Sequence, residues 1–292
     1  MTASKTYMSL ANRDLLTEVD RKFCLLGKEP EYTTKLRNDL DSSLRHLADL
    51  TSWWNSSPDF RRDVSEELEK TDPDHIKRLS REGVTRVYSA WSYLRGAVDY
   101  SKRPTHELLS PNMLLQLAET LDPRNNSYRK INEKCESFKP SYEPPASSQV
   151  LPLIESLCDR LRKSEIHPIN RAAYAHLGIV AIQPFRAAHK RLGRLIQDSI
   201  LMDARLPVAT IYPGERAIYY DLLRKGVSAF MNQTSADQVP VFDFIAGKVN
   251  VQLDRYLDTL FIQKGIPLNF VSRKKCFGNK RSHREPVVRQ HR

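Results

Sequence analysis

Residues 182–195 read IQPFRAAHKRLGRL, and this stretch decides how the whole chain is interpreted. A proline-aromatic turn leads through two small alanines into the basic start of a helix. Backbone N–H groups are free at a helix start and carry a partial positive charge, so anions bind there. Lys190 and Arg194 are four residues apart and share one helix face. The pattern predicts a turn that holds a phosphate; the alternative is a buried helix with a solvated basic edge.

The same stretch resembles the active-site motif of the Fic/Doc family, HPFx(D/E)GNGRxxR, and its middle is closer to the toxin branch of that family. The similarity covers about residues 108–260. Outside the motif, the similarity includes a Tyr-Arg pair that opens a docking flap (127–129) and the flap itself (142–145). It also includes the helix before the motif (165–176) and two segments after it (201–207 and 216–223). The resemblance implies a mainly helical fold and an ancestral activity that moves a nucleotidyl group from ATP to a protein hydroxyl.

The resemblance also implies that two catalytic positions have changed. Gln183 stands where the family has its catalytic histidine, and an amide has no useful basicity, although it can hydrogen-bond to a hydroxyl and orient it. Ala187 stands where the family has the acid that binds magnesium, and a methyl group offers no oxygen ligand. We therefore expect ATP as the nucleotide, consider magnesium binding doubtful, and predict no metal-ligating residues.

The anion-binding half of the motif is retained. By the resemblance, Arg191 and Arg194 are the two motif arginines, and Arg194 is the one that meets the terminal phosphate. The predicted nucleotide- or phosphate-binding residues are Ala188, His189, Lys190, Arg191 and Arg194. His189 stands where the family has an asparagine. It is either a displaced general base or a polar cap at the helix start, and only the first interpretation requires an altered substrate pose.

Two further segments receive predictions from the resemblance. Tyr142, Pro144 and Pro145 are predicted to lie in the flap that docks a target protein in extended form. The family's inhibitory pattern, (S/T)xxxE(G/N), is matched at 78–83 in its Glu-Gly but not in its hydroxyl residue. The hypothesis is that Glu82 pairs with Arg194 and excludes the phosphate. The alternative is a surface acid near a glycine that ends its helix.

Composition sets the broad class of protein. The 292 residues carry a formal net charge of +11, and most of the excess lies in the tail 272–292, which should be disordered. This tail could bind nucleic acid or an anionic membrane, or could only add solubility. Four cysteines occur without a CxxC pair, and no apolar run approaches the ~20 residues that span a bilayer. We expect a cytoplasmic protein without a transmembrane segment, one that could be delivered as an effector.

Helical periodicity predicts an all-α fold, with a small β-hairpin flap between about Arg129 and Tyr142. Leucines 36, 40, 44 and 47 predict a helix over about residues 33–52. Two apolar stripes predict a motif helix and a last helix: Leu192, Leu195, Ile196, Ser199 and Ile200 in one, and Phe242, Ile245, Val249, Leu253, Tyr256 and Leu260 in the other. Ser110 and Pro111 read as a helix cap and a first-turn proline.

The organisation predicted from these patterns has three parts. Residues 1–107 form an N-terminal helical region, 108–271 a Fic/Doc-like domain, and 272–292 a basic tail. Paired tryptophans at Trp53 and Trp54 are typical of core or domain contacts.

Three functions remain open. The chain is an atypical transferase or toxin-like effector that moves AMP or another phosphate-containing group onto a protein. Alternatively, it is a pseudoenzyme or strongly impaired transferase that keeps phosphate binding and contacts a protein target or regulatory partner. In the third reading it acts through its tail on nucleic acid or a membrane. Fold alone does not choose among them, but the changes at Gln183 and Ala187 favour the second.

Overall fold

The computed structural model describes residues 11–26, 29–48, 73–130, 142–163, 165–232 and 238–264. Within these ranges the chain forms ten α-helices, one short 3₁₀ helix and no β-strand. The helices are α1 (Arg13–Leu26), α2 (Pro30–Ala48), α3 (Pro73–Ser101), α4 (Thr105–Leu108), α5 (Pro111–Leu121), α6 (Ser147–Lys163), α7 (Pro168–Ile182), α8 (His189–Asp203), α9 (Arg216–Met231) and α10 (Val239–Gln263). The all-α prediction is confirmed. The predicted hairpin and the tail 272–292 lie largely or wholly outside the described residues, as do Trp53 and Trp54.

Helix α7 is the centre of the fold. From Ile169 to Ile182 every residue except Arg171 is buried, and α6, α8, α9 and α10 all pack against it. Its sequence suits this position because alanines and a glycine let neighbouring helices approach closely. Pro168 is its first residue, and the Nδ1 atom of His167 accepts a hydrogen bond from the N–H of Ile169 at 3.2 Å.

The helices predicted from periodicity are present. Helix α2 begins three residues before the predicted start and extends to Ala48, the last residue described in this part of the chain. All members of the α8 stripe are buried, as are those of the α10 stripe except Leu260, which is partly buried. Ser110 caps α5, because its hydroxyl accepts a hydrogen bond from the N–H of Met113 at 3.2 Å, and Pro111 is the first helical residue.

The N-terminal helices pack on the same core as the rest of the described chain. Helix α1 contacts α10, and α2 contacts α8. The ammonium group of Lys22 is buried at the first interface, where it lies 2.7 Å from Asn250 Oδ1, 2.8 Å from Glu18 and 2.7 Å from Asp254. A buried charge of this kind needs such partners. The domain boundary that the sequence predicts between residues 107 and 108 is not tested by these contacts and stays a prediction.

The described residues contain neither a membrane-spanning helix nor a cluster of metal ligands. No helix in these ranges has the length and apolar character needed to cross a membrane. No group of three or more His, Cys, Asp or Glu side chains among them is arranged to hold a metal ion.

The contact between α7 and α8 depends on Gly193. A Cβ atom added there would lie 2.8 Å from His176 Cδ2 and 3.1 Å from the His176 carbonyl oxygen. The His176 ring cannot move aside easily, since it is buried and both of its nitrogens are hydrogen-bonded. The two helices therefore approach more closely than a side chain at position 193 would allow.

We predict that Gly193→Ala lowers the free energy of unfolding by up to about 2 kcal/mol, because overpacking costs about 1–3 kcal/mol and the gain in helix propensity is ~1 kcal/mol. Gly247→Ala in α10 is the matched control. No atom lies within 4 Å of its added Cβ, so this variant should gain up to about 1 kcal/mol. Urea denaturation of both variants measures the difference. Equal stabilisation by both would contradict the close contact at Gly193.

Candidate anion-binding site

The turn 183–188 joins α7 to α8 and has a left-handed residue at each end. Gln183 ends α7 with φ 48° and ψ 62°, and Ala188 precedes α8 with φ 66° and ψ 13°. Neither residue is a glycine, so each conformation carries a cost that the surrounding contacts must offset. The chain reverses direction within this turn, which places the start of α8 beside the end of α7.

Asn125 holds the middle of the turn in place. Its Oδ1 atom accepts hydrogen bonds from the N–H groups of Arg186 at 3.2 Å and Ala187 at 3.1 Å. Its Nδ2 atom donates to the carbonyl oxygens of Ala187 at 3.0 Å and Ala118 at 3.2 Å. Asn125 is fully buried. Our sequence analysis did not identify this residue, because an asparagine after Pro-Arg is typical of any surface turn.

The two ends of the predicted flap are attached to the turn and to the last turn of α7 before it. Arg129 donates from its backbone N–H to Pro184 O at 2.9 Å and from Nε to Gln183 O at 3.1 Å, and its guanidinium also reaches the carbonyl of Pro145. The hydroxyl of Tyr142 donates to the carbonyl of Ala181 at 2.6 Å. Tyr142 is therefore tied to the last turn of α7, and the Arg129 guanidinium joins the carbonyls of Gln183 and Pro145. The role of Tyr142, Pro144 and Pro145 in docking a target stays a prediction.

The start of α8 has the features expected for binding an anion. Ala188 provides no side-chain cap. Within the described part of the chain, the N–H groups of Ala188 and His189 donate no hydrogen bond. A helix start of this kind attracts negative charge. Lys190, Arg191 and Arg194 follow within the first two turns.

Each of the three cations is held by a contact. The Lys190 ammonium lies 4.4 Å from the centroid of the Tyr220 ring. The Arg191 guanidinium lies 3.8 Å from Asp122 Oδ2. Arg194 is only 7% exposed, and its Nε donates to the carbonyl of Lys190 at 3.3 Å. The structure thus brings the predicted phosphate-binding residues together at one helix end.

Gln183 and His189 are both buried, but their polar atoms are used differently. The Oε1 atom of Gln183 has no hydrogen-bond donor within the described part of the chain. The Nε2 atom of His189 lies 2.8 Å from Phe185 O and 3.2 Å from Phe185 N. One nitrogen cannot both donate and accept here, and the shorter contact favours donation to the carbonyl. The ring therefore braces the turn and does not cap the N–H groups of α8.

His189 has little basicity in this position. Burial lowers its pKa to about 4, and the positive charges of Lys190 and Arg129 act in the same direction, while the bond to Phe185 opposes them. The imidazole is neutral at physiological pH and is committed to its own turn. The geometry therefore does not support His189 as a displaced base.

The predicted pair between Glu82 and Arg194 is not formed. The Glu82 carboxylate is 51% exposed and lies 3.9 Å from Arg86, one turn along the same helix. The alternative reading was also wrong in one respect, because α3 continues past Gly83 to Ser101. The acid faces outward on a long helix, and Arg194 is buried elsewhere in the fold.

A buried polar network that the sequence did not reveal lies against Arg194. Its members are His176, Gln197, Asp198 and Tyr219. Burial raises the pKa of Asp198 to about 6, although hydrogen bonds from Gln197 and Ser43 and the charge of Arg194 limit the rise. Burial lowers the pKa of His176 to about 4. These residues come from three helices, so no local pattern could have grouped them.

Comparison with known proteins agrees with this geometry. Residues 105–201 match the model of the Fic/DOC family. Residues 105–201 are therefore a Fic-like region of the chain. The Fic match includes Asn125, both ends of the predicted flap, the turn and most of α8.

Curated relatives of this chain include adenylyltransferases of flies. The protein adenylyltransferase Fic of Drosophila persimilis is 36% identical over 94 residues, which is 32% of this chain and 17% of the fly protein. That of Drosophila willistoni is 32% identical over 117 residues, 39% of this chain and 22% of the fly protein. The matched part therefore spans about a fifth of these relatives' length or less.

Solved structures share the fold. A fragment of Fic-1 from C. elegans has a TM-score of 0.65 at 20% identity, covering 86% of this chain and 73% of the fragment. A Fic-domain signalling protein from Bacteroides thetaiotaomicron has a TM-score of 0.64 at 15% identity, covering 87% of this chain and 99% of that one. The similarity extends well beyond residues 105–201 and includes helices on both sides of the matched region.

The unpaired acceptor of Gln183 leads to a stability prediction. Replacing Gln183 by methionine, which is similar in length, should leave the free energy of unfolding unchanged or raise it by about 1 kcal/mol, because a buried acceptor without a donor is lost. Gln197→Met is the control. Both ends of the Gln197 amide are hydrogen-bonded, so its loss should cost about 2 kcal/mol or more. Chemical denaturation compares the two. A loss at position 183 equal to that at 197 would mean that Gln183 is paired in solution.

The buried histidines predict that the protein loses stability in acid. His176 and His189 have folded pKa values of about 4, below the ordinary 6.5, so the unfolded chain binds protons first as the pH falls. Stability that is present above pH ~6.5 is then lost towards pH ~4. The raised pKa of Asp198 acts in the opposite direction. From about pH 7.5 to 5.5 we expect a net loss of about 2 kcal/mol from these three groups.

Denaturation curves at the two pH values test this expectation. His176→Gln and His189→Asn should each reduce the difference between the curves by about 1 kcal/mol, because each removes one group that titrates only in the unfolded chain. A pH difference that is unchanged in both variants would show that these histidines have the same pKa in the folded and the unfolded chain.

Proposed function

We propose that this chain is a Fic-domain protein that binds the phosphates of ATP and is a pseudoenzyme or a strongly impaired protein adenylyltransferase. The observation that carries the proposal is the contrast at one turn. Three basic side chains, Lys190, Arg191 and Arg194, lie in the first two turns of α8, whose start has no side-chain cap, while the position of the family's base holds an amide. The site is suited to holding phosphate and poorly equipped to activate a hydroxyl.

The anion-binding part is supported by its geometry. The N–H groups of Ala188 and His189 offer hydrogen bonds to a phosphate oxygen. Arg194 offers a charged donor from a mostly buried position, where electrostatic attraction is less screened by water. Lys190 lies one turn before it on the same face. A polyphosphate is the anion that would use all of these groups together.

The proposed loss of transferase activity is supported by the chemistry of the turn. Transfer requires that a protein hydroxyl lose its proton while its oxygen bonds to phosphorus and pyrophosphate departs. Gln183 cannot accept that proton, and His189 is neutral, buried and bonded to Phe185. Loss of a general base costs about 10²–10⁴ in rate. A very slow reaction or none is the result.

The magnesium ion that the family implies does not fit this turn. The side chain of Ala187 is a buried methyl group and offers no oxygen to a hard cation. Among the described residues, no acidic cluster nearby takes over the task. Without the metal, Lys190, Arg191 and Arg194 would neutralise the charge on the phosphates. The loss of the metal removes stabilisation of the transition state on the order of several kcal/mol.

A protein partner is part of the proposal. The segment from Tyr142 to Pro145 is anchored beside Gln183 and leaves Glu143 exposed. An extended backbone at this place would meet a partner's chain next to the anion site. Either a target or a regulatory protein fits this arrangement. Binding of nucleic acid or membrane by the tail 272–292, and a cytoplasmic location, remain sequence-based expectations.

Binding of ATP tests the first half of the proposal. Arg194→Ala should weaken ATP binding by about tenfold or more, because a charged hydrogen bond contributes about 1.5–3 kcal/mol. Arg224→Ala is the matched control. That guanidinium is exposed on α9 and pairs with Asp221, so its loss should leave the affinity unchanged. Calorimetric titration gives both values. Equal ATP affinity in the wild type and the Arg194 variant would contradict the assignment.

Restoring the missing groups tests the second half. The double variant Gln183→His with Ala187→Asp should incorporate labelled AMP from ATP into protein at least about a hundredfold faster than the wild type, because it regains a base and a metal ligand. Adding Arg194→Ala to the double variant should remove the gain. If the wild type transferred AMP as fast as the double variant, the proposal that its transferase activity is impaired would be wrong.

A further inference from the structure

Arg194 rests on a buried tyrosine from another helix. Its guanidinium carbon lies 5.9 Å from the centroid of the Tyr219 ring. Arg194 is 7% exposed and Tyr219 is 1% exposed. Attraction between a cation and an aromatic face strengthens where water is excluded. Tyr219 lies in α9, so the residue that contacts the motif arginine belongs to a helix outside the motif.

A chain of hydrogen bonds with a single direction holds the Tyr219 ring. The Nε2 atom of Gln197 lies 3.2 Å from Asp198 Oδ1, and a carboxylate only accepts, so the amide must point this way. Its Oε1 atom then faces His176 Nδ1 at 2.6 Å, and that nitrogen must carry the proton. The other nitrogen of the neutral ring is left to accept from the Tyr219 hydroxyl at 2.9 Å.

The end of this series of hydrogen bonds, at Asp198, is held in place as well. The hydroxyl of Ser43 donates to Asp198 Oδ2 at 2.9 Å, so α2 is tied to α8. Asp198 lies four residues after Arg194 on the same helix face, and its charge opposes that of the arginine. Every donor and acceptor in the chain has one role, and so the tyrosine ring has one orientation.

We propose that Tyr219 is a positioning residue for Arg194: its ring supports the guanidinium, and the chain through His176, Gln197 and Asp198 fixes the ring. This inference rests on the proposed role of Arg194 in holding a phosphate. The neighbouring Tyr220 provides a comparison within the same helix. Its ring supports Lys190, at 4.4 Å, and does not belong to the chain.

The test measures ATP affinity in a double-mutant cycle. Tyr219→Leu should weaken binding about tenfold, whereas Tyr219→Phe, which keeps the ring, should change it less than about threefold. In the Arg194→Ala background Tyr219→Leu should cause no further loss, because it acts through Arg194. Tyr220→Leu should weaken binding by a similar factor with and without Arg194. Low ionic strength keeps the residual affinities measurable.

Two results would overturn the inference while leaving the proposed function intact. One is an equal loss of affinity in Tyr219→Leu and Tyr219→Phe. The other is a loss in Tyr219→Leu that is the same in the Arg194→Ala background, since a merely structural role would behave in this way.

A measurement without ligand keeps the inference testable if the wild type binds no ATP, a result that would remove the proposed function. Solvent exchange of the Arg194 Nε–H, followed by NMR in the ligand-free protein, should be slow in the wild type and in Tyr219→Phe. It should be at least about tenfold faster in Tyr219→Leu, because the ring no longer holds the guanidinium. Unchanged exchange in Tyr219→Leu would overturn the positioning role.

Discussion

The close packing of α7 against α8 is the constraint on which the rest of the structure depends. Gly193 faces the ring and the backbone of His176 with no room for a methyl group. A tight turn, 183–188, joins these two helices, and it begins and ends in left-handed conformations. The contacts of Asn125 and Arg129 with the turn backbone offset the cost of those conformations. The conformation of residues 183–188 then sets the direction of the first N–H groups of α8.

The same packing explains why ionisable groups are buried beneath the site. Arg194 and Asp198 face inward on α8, and His176 faces them from α7. A buried charge is tolerated only when partners replace water. The amide of Gln197, the hydroxyls of Ser43 and Tyr219 and the opposite charges of Arg194 and Asp198 supply those partners. The result is a fully hydrogen-bonded polar network that lies against Arg194, the arginine that the proposed function uses.

Anion binding and proton transfer depend on different residues within the turn, and this separation matters for the proposed function. Phosphate binding needs backbone N–H groups and cations, which the α7–α8 geometry supplies whatever stands at positions 183 and 187. Proton transfer needs one basic side chain, and a metal needs one oxygen ligand. Two substitutions can therefore remove the chemistry without disturbing the fold. Among the described residues no donor meets the buried Oε1 atom of Gln183, which agrees with this view because that atom does not hold the turn in place.

Local order in the sequence determined much of this protein. Apolar periodicity located α2, α8 and α10, Ser110 and Pro111 marked the start of α5, and the stretch 182–195 indicated the turn and its cations. These features depend on neighbours three or four residues away, which a sequence displays directly. The contacts of Asn125 with Ala187 and of Tyr219 with His176 join residues 62 and 43 positions apart. Glu82 was assigned wrongly for the same reason, since only the placement of α3 decides which way it faces. Which distant side chains meet beneath the turn is set by how the helices pack, and only the tertiary structure decides that.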